Sequence, residues 1–94
     1  MPIRLNISLH AFHRLRERNI PEEAVEAVIR EGTAIEEYPD DTPFPSRLFL
    51  GFTRGKPLHV VAAWDEEASA WRIVTAYWPD PELWEKDCQT RKRP

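Results

Sequence analysis

Ninety-four residues give this chain room for one domain and not for two. Its apolar fraction is 41% and its charged fraction 31%, so the four Trp, four Phe and two Tyr must supply much of the core, at roughly 150–250 Å² buried per ring. The net charge of −3 argues against a generic nucleic-acid binder, and the single cysteine, Cys88, excludes an internal disulfide and with it a secreted, stapled mini-domain.

A chain this short encloses no large internal cavity, so a site must be a surface cleft or an open sheet face. No window approaches the ~18 apolar residues of a membrane span. Met1-Pro2-Ile3-Arg4 lacks the apolar run of a secretion signal, so the expected setting is the cytoplasm, with no membrane partner. Charge is unevenly spread. Arg14, Arg16 and Arg18 cluster near the start and Arg91, Lys92 and Arg93 near the end, with acidic residues concentrated over 22–37 and 65–67.

Ser8 is placed to cap a helix running to about Arg18. Leu9, Phe12 and Leu15 fall on its apolar side, and His10, Arg14 and Arg18 recur every four residues as a polar stripe. Asn19-Ile20-Pro21 reads as a turn, with Pro21 suited to the first position of a second helix and Glu22 and Glu23 to the positive end of its dipole. Ala24, Val25, Val28 and Ile29 form its buried stripe, and Gly32 is expected to end it as a left-handed cap. The two helices make a short hairpin.

From Thr33 the period becomes extended. Thr33–Tyr38 reads as an edge strand, and the three prolines within 39–45 make a loop. Arg47–Phe52 and Pro57–Trp64 are strands joined at Arg54-Gly55, and Trp71–Trp78 is a further strand after a turn over 65–70. Residues 79–84 open a last helical turn. The expected fold is therefore α+β: an N-terminal helical hairpin on a three- to four-stranded antiparallel β-meander, with a short C-terminal helical turn. One domain spans 1–86, and 87–94 read as a flexible basic tail.

Alternation sorts the strands into two faces. One collects Leu48, Leu50, Phe52, His59, Val61, Ala63, Val74 and Ala76, and its apolar character makes it the expected bed for the helices. The other collects Arg47, Phe49, Leu58, Val60, Ile73, Thr75 and Tyr77, a mixture suited to an exposed binding surface.

His10 and His13 are three apart, but no carboxylate or thiol at a supporting spacing completes a metal set with His59, so no metal and no cofactor is expected. Ser8, Ser46 and Ser69 lack a nucleophile elbow, and three separate glycines build no phosphate loop. What remains is an Arg, His, Tyr and Thr constellation. Such a set suits RNA cleavage, because the 2′-hydroxyl is a built-in nucleophile and the protein supplies only acid, base and cation. The catalytic candidates are Arg47, His59, Thr75 and Tyr77. Phe49 or Tyr77 offers a surface on which a base stacks, which makes Phe49 a binding candidate. Arg14 or Arg18 has a plainer alternative role, pairing with Glu36, Glu37 or Asp40.

The run from His10 to Ile20 resembles the H-A-x-x-R-M-x-x-R-x-I opening of a bacterial domain-of-unknown-function family, number 4258. The resemblance continues through 38–41, 46–51 and 57–61, and ends with Thr75-Ala76-Tyr77-Trp78-Pro79-Asp80-Pro81 and Trp84. It implies kinship with RelE- and MqsR-type ribonuclease toxins, an endoribonuclease activity, an antitoxin protein and RNA or the ribosome as partners, and His10, Arg14 and Arg18 as substrate-binding candidates; a second copy of the chain is a further expected partner. Leu15 stands where the family has Met, and Asn19 and Pro21 depart from the pattern around Ile20. The acidic balance departs from that of an RNA-cleaving toxin and favours the alternative of a non-catalytic protein-binding module.

Overall fold

The computed structural model describes residues 3–93. In chain order the elements are β1 (Leu5–Ile7), α1 (Leu9–Glu17), α2 (Glu22–Glu31), β2 (Thr33–Tyr38), β3 (Ser46–Thr53), β4 (Lys56–Asp65) and β5 (Ala70–Tyr77). The Ser8 hydroxyl accepts from the Ala11 amide at 3.1 Å and so starts α1, whose buried pair is Ala11 and Leu15, with Leu9 left exposed. Helix α2 buries Ala24, Val25, Val28 and Ile29, and Pro21 precedes its first helical residue. Gly32 is extended (φ −80°, ψ −175°), not left-handed. Its reason is space: a Cβ there would lie 2.4 Å from the Val28 carbonyl oxygen and 2.5 Å from that of Leu50.

The strands form one five-stranded sheet in the order β1-β5-β4-β3-β2. Neighbours among β2 to β5 run antiparallel, whereas β1 runs parallel to β5, with Leu5 opposite Trp71 and Ile7 opposite Ile73. This mixed sheet replaces the expected three- to four-stranded antiparallel meander. Three residues carry too little alternation to announce β1. Its partner also lies most of the domain away, because parallel strands need a long crossover.

The two-residue turn Arg54-Gly55 has both residues at positive φ, 51° and 79°, the geometry of a tight hairpin, and it sets Phe49 opposite Val60 and Leu50 opposite His59. Between β4 and β5 a bulge intervenes. Val61 faces Thr75 while Ala62 faces Ile73, so Val74 is left over and exposed. Thr75 and Tyr77 consequently share the face of His59, and Ala76 turns to the other side.

The helices cover that other side, packing on Phe49, Leu58, Val60, Ala62, Ile73 and Ala76. The expected bed, the face of Leu48, His59 and Val61, is the opposite one. Gly51 explains the choice, because a Cβ on it would meet Val28 Cγ2 at 2.8 Å; only this side lets α2 approach so closely. Across the His59 face, residues 79–93 fold back as a strap. Trp84 is buried against Leu48 and Val61, with Ile35 and Tyr38 beside them. The strap closes on itself through Trp84 N to Asp80 O (3.0 Å), Glu85 N to Thr90 O (2.8 Å), Lys92 N to Leu83 O (2.9 Å) and a bridge between Trp84 and Arg91. No helix among the described residues is long and apolar enough to cross a membrane.

Candidate functional site

Register brings His59 opposite Tyr77, and the bulge adds Thr75 to the same face. His59 is fully buried. Its Nε2 lies 2.8 Å from the Cys88 carbonyl oxygen, which can only accept, so Nε2 carries the hydrogen. In the neutral ring Nδ1 is then an acceptor, and the Tyr77 hydroxyl, 3.3 Å away, donates to it. Burial holds the imidazole below its ordinary value, and burial likewise raises the half-exposed Tyr77 phenol. The pair is a neutral base with a neutral phenol in front of it.

Next to this pair, the end of α1 meets the edge of β5 beyond the short β1. Arg18 donates from Nη1 to Thr75 Oγ1 (3.2 Å) and to the Ala76 carbonyl (2.7 Å), an edge acceptor that β1 does not reach. Trp78 Nε1 donates back to the Arg18 carbonyl at 2.7 Å, so the cation is held from both ends. Arg18 thus ties its helix to β5 through a hydroxyl and a carbonyl, whereas the expected carboxylates Glu36 and Glu37 pair with Arg91 and Arg47.

The strap supplies the rest. The Trp84 ring stands edge-on to the imidazole, with centroids 4.5 Å apart, and the Arg91 guanidinium lies 4.5 Å from the centroid of Trp84. Arg91 grips Glu36 with two donors, at 3.0 and 3.1 Å, and Tyr38 donates to Glu36 at 2.7 Å. The bonds from Arg91 hold the Glu36 carboxyl below its ordinary value, while burial and Glu36 together raise the Tyr38 phenol. Among the described residues no three His, Cys, Asp or Glu side chains converge in a metal-holding group.

Residues 7–78 match the profile of a family described as Domain of unknown function (DUF4258). The chain belongs to that family. No curated protein and no solved structure matches it. The DUF4258 match includes His59, Thr75, Tyr77 and Arg18 and stops at Trp78, so Trp84, Cys88 and Arg91 lie outside it.

Of the residues singled out in the sequence, the fold thus gathers His59, Thr75, Tyr77 and Arg18. The others lie elsewhere. Arg47 projects from the helix-side face of β3, beyond the helices, where its Nε pairs with Glu37 at 3.3 Å. Phe49 is buried in the helix-side core, edge-on to Trp71 at 5.5 Å. His10 and Arg14 are exposed on α1. Glu36, Tyr38, Trp84 and Arg91 were not among the candidates. Glu36 and Tyr38 carried a usable signal, a carboxylate and a phenol two apart on a strand and hence on one face. Trp84 carried another, as a large aromatic in an otherwise polar stretch.

Proposed function

We propose that this DUF4258 chain is a toxin-like endoribonuclease that cleaves RNA without a cofactor and is held in check by an antitoxin partner in the cytoplasm. The observation that carries the reading is the His59–Tyr77 hydrogen bond with its fixed tautomer, set beside the Arg18–Thr75 bond on the same strand. A ribose 2′-hydroxyl bound at Tyr77 gives its proton to the phenol oxygen as the phenol proton passes to His59 Nδ1. The 2′-oxygen then attacks the adjacent phosphorus. The 5′-oxygen leaves with a proton from water, a 2′,3′-cyclic phosphate remains, and the imidazolium returns its proton to solvent. Arg18 and Thr75 offer a charge and a hydroxyl to the phosphate oxygens, which gain negative charge in the transition state. The resemblance to RelE- and MqsR-type toxins supports the same reading.

The test is single-stranded RNA cleavage by purified protein, with growth on induction as the cellular counterpart. Cyclic phosphate ends are expected, with Tyr77→Phe and His59→Gln each slowing cleavage roughly 10²–10⁴-fold. Intact RNA and normal growth at high expression would remove the reading.

A second reading, a non-catalytic protein-binding module, is favoured by one observation: both imidazole nitrogens are already partnered and the ring is fully buried. It expects no RNA affinity even at low salt, where electrostatic binding is strongest.

A further inference from the structure

We propose that the strap, residues 79–93, is a built-in cover that keeps the His59–Tyr77 pair from substrate and must lift for the site to act; this rests on the ribonuclease reading above. The way the strap is attached carries the inference. All of its backbone-to-backbone hydrogen bonds among the described residues are internal: Leu83 and Trp84 to Asp80, Cys88 to Glu85, Glu85 to Thr90 and Lys92 to Leu83. It adds no strand to the sheet.

Three ties hold it down. Trp84 sits on Leu48 and Val61, the Cys88 carbonyl accepts from His59, and Arg91 is clasped by Glu36. An open cleft of about 860 Å³ is lined chiefly by the strap itself, with Pro79, Pro81, Trp84, Cys88 and Lys92 around it and Pro57 as the one lining residue outside the strap. A segment closed on itself and fastened at few points opens locally, without unfolding what lies beneath it.

Two of the three ties, Trp84 and Cys88, converge on the imidazole, so the strap covers the group that the proposed chemistry needs bare. The start of the strap fits a pivot. Trp78 is pinned by its bond to Arg18, and Pro79 and Pro81 follow, neither with an N–H to extend the ladder. The family match over residues 7–78 includes the pair and stops at this pivot.

The experiment uses the full chain and reads two quantities separately. Diethylpyrocarbonate modification, resolved by peptide mass, reports His59 exposure, with the exposed His10 and His13 as internal standards. Cleavage of a single-stranded RNA oligonucleotide reports activity. In the wild type His59 should react at least ~10-fold more slowly than the two standards, which is the protection expected of a group reached only by local opening. Arg91→Glu sets two carboxylates against each other, and Trp84→Ala removes the apolar tie. Each should bring His59 towards the rate of the standards and raise cleavage by a similar factor, with far-UV circular dichroism unchanged. Combining Glu36→Arg with Arg91→Glu should restore protection, which a merely unfolded variant could not do.

Wild-type His59 reacting as fast as His10, or protection surviving both variants, would overturn the cover. Exposed His59 with still-intact RNA would keep the strap as a lid over the pair and remove the ribonuclease reading.

Discussion

Both faces of the sheet are covered, one by helices and one by the strap, yet the two covers are built differently. Under the helices the contact is continuous and apolar: Val25, Leu58 and Val60 have no exposed surface, and Val28 packs onto the bare backbone of Gly51. Under the strap a smaller apolar set of Leu48, Val61 and Trp84 adjoins a polar network running from Tyr77 through His59 to Cys88, with Glu36, Tyr38 and Arg91 beside it. Close apolar packing has little to gain from a partly lifted state. Discrete ties around a titratable ring are a different arrangement, because each can be broken singly. A fold that needs one face for stability and the other for chemistry would divide the labour in this way.

The comparison breaks most visibly at Leu58. Leu58→Ala removes a fully buried side chain from the helix side and should lower unfolding stability by about 2–5 kcal/mol, read from the denaturant midpoint at unchanged slope. Trp84→Ala deletes a larger ring but should cost less than the ~3–5 kcal/mol typical of a core tryptophan. Its loss stops growing once the strap has undocked, because the sheet and helices beneath do not depend on it. Amide exchange should show faster opening over 79–93 and little change in β3 and β4. A full core-sized loss in one cooperative transition would make the strap part of the core and erase the contrast between the faces.

The two helices and the tight turn were legible in the sequence, and the face the helices cover and the strap were not, for reasons tied to particular residues. The Ser8 cap, the α2 stripe and the Arg54-Gly55 turn are local, and local patterns state their own geometry. The Val61–Ala62 bulge is not local. One extra residue moved Thr75 and Tyr77 onto the face of His59, and no propensity in β5 marks it. Which face the helices choose turned on the missing Cβ of Gly51, a contact between residues 23 apart in sequence. The strap is further from view still. Its composition is that of a polar end segment, and its ties, from Trp84 to Leu48 and Val61, from Cys88 to His59 and from Arg91 to Glu36, span the chain. Of the candidate site, His59, Thr75, Tyr77 and Arg18 could be named from residue chemistry. That His59, Thr75 and Tyr77 converge and Arg47 does not is a property of register, and Arg18 joins them through the docking of α1 on β5.

Acid should act on the strap side first. The folded protein holds His59 below its ordinary value near 6.5, so the unfolded state takes up that proton at the higher pH. Stability therefore falls as pH drops below about 6.5 and levels off once pH has passed below the folded value, the sign required when the unfolded state binds more protons. Chemical denaturation at a series of pH values should show this slope in the wild type and its loss in His59→Gln. The charged groups facing the ring, Glu36 and Arg91, do not titrate in the upper part of this window, so an unchanged slope in His59→Gln would place the acid sensitivity elsewhere.

The smallest effect separates two ion pairs that look alike on paper. Arg47–Glu37 joins β3 to β2 with both partners exposed, and Arg47→Met should change stability by no more than ~0–1 kcal/mol at any pH. Arg91→Met should likewise cost little at neutral pH, but it should change the shape of the acid limb. Glu36 is held below its ordinary value chiefly by Arg91, so its contribution is present above the unfolded value near 4.5 and is lost as pH falls through the folded one. Without Arg91 the burial of Glu36 acts against its charge, and that low-pH loss should shrink or reverse sign. The two single variants compared by denaturation between about pH 3 and 5 decide it. Parallel curves would reduce Arg91 to one more surface arginine. Diverging curves would show that the strap is clasped to the sheet by a carboxylate whose charge it controls.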